Sequence, residues 1–153
     1  MKFVIDTSSV LQELFYVLKL VFAFVLGGII GWERELAGKE AGIRTFGCIA
    51  MGSAAFSIFS PLVNFADNSR IAAQIVLGIG FLGSGIFMRG ENKTAGLTTA
   101  ASMWVSAAVG MGVGFSLYIV ATGLALITAA SLHMPSLKYW KMLSEKGKKK
   151  DRS

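Results

Sequence analysis

Lys19 is a cation inside an apolar run, and the other polar side chains set in or beside such runs form three further groups that could do chemistry. An ammonium in hydrocarbon is costly. Either Lys19 snorkels toward the nearer interface or it belongs to a polar path between helices. The stretch Gly31 to Thr45 carries three acids and three bases. Its Glu33, Arg34, Lys39 and Arg44 are either solvated or folded into an ordered cap in which the arginine forks meet Glu33 or Glu40. Asp67, Arg70 and Gln74 open the next apolar stretch. Asp67 suits a helix N-cap, and Gln74, one turn past Arg70, can hydrogen-bond to a neighbouring helix. The same three residues could line the mouth of a polar route, with Asp67 as the one candidate metal ligand, although a single carboxylate makes a poor magnesium site. Thr98, Thr99, Ser102 and Trp104 open a later run, where hydroxyls serve close helix contact or a hydrated vestibule.

Several chemistries have no support in the residues. Gly78-Ile79-Gly80-Phe81-Leu82-Gly83 spells a dinucleotide fingerprint. It lies in the middle of an apolar run with no strand before it and no acid about 20 positions later, so it does not bind a nucleotide. Walker loops, metal-spaced His and Glu pairs, and Ser or Cys nucleophiles with a nearby base are missing from the sequence. His133 is the lone histidine and is expected at an interface. Cys48 is the lone cysteine, in an apolar run, and is expected to pack as a small hydrophobe. The chain is expected to be no enzyme and to hold no cofactor.

The elements that position these groups are membrane helices. Of 153 residues 54% are hydrophobic, only 16% are charged and 18 are glycine, with a mean hydropathy of +0.61. Five spans are expected: about Leu14 to Gly31, Thr45 to Leu62, Ile71 to Met88, Leu97 to Val109 and Phe115 to Met134. The fourth must borrow from Thr94–Gly96 or from Gly110–Gly114 to cross a hydrocarbon core of ~30 Å. Between Arg70 and Arg89 lie eighteen uncharged residues. Their glycines call for close neighbours within this protein and suggest a central place for the third helix. Gly80 with Ser84, and Gly27 with Gly31, have the four-residue spacing of small-residue helix contacts; Gly78, Gly83 and Gly85 are further packing candidates, and the Gly27–Gly31 pair suits a homodimer. With five spans, Arg34, Lys39, Arg44, Arg89, Lys93 and the seven bases from Lys138 to Arg152 share one side. The positive-inside rule then places the N-terminus outside and the C-terminus in the cytoplasm. Residues 1–135 form the transmembrane domain. Residues 136–153 form a basic juxtamembrane tail suited to anionic lipid, which accounts for the pI near 9.7 without nucleic acid.

The strings GGIIGWERELAGKEAGIRT, GSAAF, DNSRIAAQIVLGIGFLGSGIFMRG and GLTTAASMWVSAAVGMGVG, from about Gly27 to Tyr118, resemble the MgtC/SapB (MgtC/SapB/YhiD) membrane proteins of bacteria. Phe46 stands where a histidine commonly follows the Arg-Thr pair, Leu77 where a small residue is usual, and Ser84 where alanine is usual. The resemblance implies a multi-pass inner-membrane protein linked to growth at low magnesium and to stress adaptation, modulating ion or energy homeostasis through partners such as the membrane ATP synthase. The alternative is a small cation or proton carrier. Larger members continue into a soluble cytoplasmic domain, whereas this chain stops about twenty residues after its last span.

Overall fold

Five helices follow one another in a computed structural model that describes residues 7–63, 69–89 and 93–134. They are α1 (Thr7–Leu36), α2 (Ile43–Val63), α3 (Ser69–Arg89), α4 (Lys93–Gly114) and α5 (Tyr118–His133), with no strand among the described residues. Asp67 and the basic tail lie outside the described residues. Three stretches are long and apolar enough to cross a membrane, Val10–Leu36, Ile43–Leu62 and Gly96–Gly114; Arg70–Ile86 and Tyr118–His133 are shorter apolar helices. The fourth span extends in both directions at once, so Thr94–Gly96 and the glycine-rich Gly110–Gly114 are both helical.

The expected loop from Gly31 to Thr45 is much shorter. α1 continues to Leu36, because Trp32 to Leu36 contains no helix breaker and the chain turns only where glycine allows it. Gly38 adopts φ +67°, with its N–H bonded to the Glu35 carbonyl and the Lys39 N–H bonded to the Arg34 carbonyl. That is the paired closure of a Schellman motif, and the left-handed residue is the one without a Cβ. The α4–α5 turn closes the same way, Ser116 N–H to Val113 O and Leu117 N–H to Gly112 O, but there the left-handed residue is Ser116, at φ +64°.

α4 is the hub of the bundle, touching all four other helices, whereas α3 touches only α2 and α4. The central place expected for the third helix is therefore corrected. Eight of α4's described residues from Thr99 to Val113 are buried, as Thr99, Ser102, Met103, Ser106, Ala107, Val109, Gly110 and Val113. On α3 the buried apolar residues are Ala72 and Ile79 alone among those described. The core is built from small groups: among the described residues eight of the sixteen buried apolar ones are alanine, and serines at 53, 57, 60, 102 and 106 are buried with them. In lipid, where apolar side chains gain little by leaving the solvent, such residues let backbones come close enough for dispersion and hydrogen bonding to hold helices together.

Candidate functional site

At the end of the bundle where α1 gives way to α2, the acids and bases form an ordered cap. Arg34 is buried, its Nε donating to Glu33 Oε2 at 2.7 Å and its Nη2 to the Leu132 carbonyl at 3.3 Å. One guanidinium thus satisfies a carboxylate and one of the last carbonyls of α5, tying the first helix to the fifth. Glu35 Oε2 accepts the Ile43 N–H at 3.1 Å and so caps α2. Sequence reasoning paired the arginines with Glu33 or Glu40 and missed Glu35; the local signal was an acid eight residues ahead of a helix start across a glycine turn. Lys39 is half-buried, and Arg44 and Thr45 are exposed on the first turn of α2.

Lys19 does not reach along a path between helices. Its ammonium donates to Ser116 Oγ at 2.8 Å and to the Gly114 carbonyl at 3.4 Å. The rings of Tyr16 and Tyr118 lie 5.9 and 6.0 Å from it. A cation at a helix C-terminus meets the negative end of the backbone dipole, and the two aromatic faces add cation–π attraction. Lys19 lines a small cavity of about 320 Å³ with Phe15, Leu18, Phe22 and Tyr118. Gln74 lines a separate groove between α2 and α3. The described members of the candidate path are therefore not brought together: Lys19 is at one face, Gln74 and the exposed Arg70 at another. Asp67 lies outside the described residues, among which no three His, Cys, Asp or Glu side chains cluster.

The hydroxyls of α4 divide by face. Thr99 and Ser102 are buried, and Ser102 Oγ donates to the Thr99 carbonyl at 2.9 Å, whereas Thr98 and Trp104 are exposed. Ser106 makes the one interhelical hydroxyl bond that an α4 serine contributes here, Oγ to the Phe46 carbonyl at 2.9 Å. Phe46 is itself fully buried. Position 46, where the resemblance leads to the expectation of a histidine, is thus a core position in this chain.

The glycines also divide. A Cβ on Gly27 would stand 2.5 Å from the Phe46 carbonyl oxygen, one on Gly31 2.6 Å from that of Gly42, and one on Gly110 would meet the Ala50 carbonyl. Gly83 meets the Ala100 Cβ at an ordinary 3.5 Å. Gly27 and Gly31 are consumed by α2 of the same chain, so this pair offers no contact to a second copy. Gly78, Gly80 and Gly85 have no atom within 4 Å of where a Cβ would be, and Ser84 is exposed. Their expected packing partners are absent from the described part of the chain. What α3 presents instead is an outward seam at heptad spacing, Gln74, Leu77, Phe81, Ser84 and Met88, in which Leu77, Phe81 and Met88 are 71%, 79% and 84% exposed.

Residues 20–137 match the model of the MgtC family. The chain belongs to the MgtC family. It is 46% identical over 113 residues to a protein of Escherichia coli K12 named "Putative magnesium transporter YhiD", covering 67% of this chain and 52% of that protein. To Protein MgtC of Brucella abortus it is 51% identical over 100 residues, 64% of this chain and 42% of the relative, and to Protein MgtC of Salmonella typhimurium LT2 46% over 96 residues, 63% and 42%. This MgtC-family chain spans about half the length of these curated relatives. No solved structure matches it.

Proposed function

We propose that this MgtC-family membrane protein modulates magnesium and energy homeostasis without catalysing a reaction, by docking a transmembrane helix of a partner complex on the outward seam of α3. The observation that carries the reading is the seam itself. Gln74, Leu77, Phe81, Ser84 and Met88 recur at the three- and four-residue spacing by which one helix packs along another, with Gly80 and Gly85 open on either side. Gln74 supplies an amide that can bond across a helix pair, an interaction worth about 1 kcal/mol in a bilayer. The magnesium assignment follows the name of the relative YhiD. The membrane ATP synthase is the first partner to test. The protein sits in the bacterial inner membrane, N-terminus outside, with the Arg34, Lys39 and Arg44 end in the cytoplasm.

Carriage of a cation is the competing reading, supported by the same relative's name. It needs the polar groups to share a path, and Lys19 is instead bonded to the α4–α5 turn. Growth at limiting magnesium in a strain lacking the protein separates the two readings. Phe81→Ala, at a side chain that is 79% exposed, and Gly80→Leu, where no atom lies within 4 Å of a new Cβ, should abolish the growth supported by the intact protein without lowering its abundance. Purified protein in liposomes should carry no magnesium; a magnesium flux that Asp67→Ala or Gln74→Leu removes would overturn the proposal in favour of a carrier.

A further inference from the structure

We infer that the groove between α2 and α3 is a phospholipid site, in which an anionic phospholipid sets its phosphate at Arg44 and Thr45 and lays one acyl chain against Gly52 and Gly78. Two cavities of about 550 and 570 Å³ share Cys48, Ile49 and Leu82, so they are one continuous groove. It runs from Arg44 at the cap end to Phe56, a rise of roughly 18 Å along α2. Half of a ~30 Å hydrocarbon core, the depth of one leaflet, is about 15 Å. The length therefore fits a headgroup at the interface and a single tail below it. Gly52 and Gly78 line the groove from its two opposite walls, each with open space where a Cβ would be, which leaves room for a methylene chain.

Charge selects the occupant. Arg44 is exposed at the mouth and is outside the one ion pair described, which joins Arg34 to Glu33. Glu35 already occupies the Ile43 amide, and the Arg44 guanidinium and the Thr45 hydroxyl are the side-chain donors that the mouth offers a phosphate. α3 ends at Arg89 and α4 begins at Lys93, two more basic positions at the same end of the bundle. Basic pockets between helices on the cytoplasmic side are a recurrent setting for anionic headgroups. A second copy related by a two-fold axis along the membrane normal would bring Arg44 toward Arg44, whereas an anionic lipid neutralises it. The groove meets the partner seam at Gln74 alone, and the residues that carry the lipid proposal, Arg44, Thr45, Gly52 and Gly78, are outside the seam.

Native mass spectrometry of the full chain, released from bilayers of equal phosphatidylglycerol and phosphatidylethanolamine, tests it. The intact protein should retain phosphatidylglycerol in preference, and Arg44→Gln should lower that retention about five-fold, the factor that one basic residue near an anionic surface contributes. Arg44→Lys should keep most of it. Gly52→Leu, which fills open space in the groove, should reduce both lipids alike. Equal retention of the two lipids by the intact protein, or equal phosphatidylglycerol on the intact protein and Arg44→Gln, overturns the proposal. So does a dimer that Gly52→Leu converts to a monomer with lipid unchanged, because the groove then holds a second copy.

Discussion

Alanine at Gly110 and alanine at Gly78 should have opposite effects on stability, although the substitution is the same and both residues lie inside helices. At Gly110 the new Cβ meets the Ala50 carbonyl oxygen and stands 2.7 and 2.9 Å from the Ala50 carbonyl carbon and Cα, against 3.4–4 Å for ordinary contact. All three atoms are backbone, so no side chain can swing aside and α2 and α4 must separate by several tenths of an ångström or more. Overpacking of this kind costs about 1–3 kcal/mol, and because α4 is the hub the displacement also loosens its contact with the other helices. At Gly78 no atom lies within 4 Å of the new methyl, leaving the gain in helix propensity, up to about 1 kcal/mol. The two variants should therefore differ by roughly 2–4 kcal/mol. Thermal unfolding of the detergent-purified proteins, followed by tryptophan fluorescence, reads the difference. Equal midpoints, or Gly110→Ala at or above the unsubstituted protein, would refute the close approach of α2 and α4.

Three other substitutions test the cap and the tether. Arg34→Ala leaves Glu33 without its cation and Leu132 without its donor; breaking a buried pair costs about 3–5 kcal/mol, so folded protein recovered from membranes should fall sharply, with Glu33→Gln, Arg34→Met together recovering part of it. Lys19→Met removes the ammonium from Gly114 and Ser116 and should lower the melting temperature by several degrees, while Lys19→Arg, which keeps a cation there, should lower it less. Gly38→Ala puts a Cβ on a residue at φ +67° and should cost about 1 kcal/mol in the same assay; an unchanged midpoint would mean that the turn does not hold this conformation.

Hydropathy and charge made the helices legible. Each of the five expected spans overlaps one of the five helices, three of which are long and apolar enough to cross a membrane, because a hydrocarbon core demands long uncharged runs whatever their packing. Boundaries slipped where a polar string was read as a loop, as at Trp32–Leu36, since helix propensity continues through charged residues until a glycine turn ends it. The small residues announced close contacts without saying with what. Gly27 and Gly31 are used by α2, while Gly78, which lines the α2–α3 groove, and Gly80 and Gly85 have open space where a Cβ would be. That choice depends on which helix is the hub, and α4, with its weaker hydropathy, gave no such sign. Lys19 was conspicuous, but its acceptors Gly114 and Ser116 are 95 and 97 positions away, beyond any local pattern. Gln74 and Arg44 were singled out from the sequence as polar groups; that both line the groove between α2 and α3 emerges only from the packing.

The seam on α3 is the centre of the account, and a photo-crosslinking residue placed at Phe81 in the intact membrane tests it most directly. Ile119 on α5 is the matched control, since it is 89% exposed against 79% for Phe81 and lies on a different helix from the seam. One protein adduct is expected from Phe81, shared by Leu77 and Met88 and lost with Gly80→Leu, while Ile119 yields lipid adducts alone. The same adducts from Phe81 and Ile119, or lipid alone from both, would contradict it.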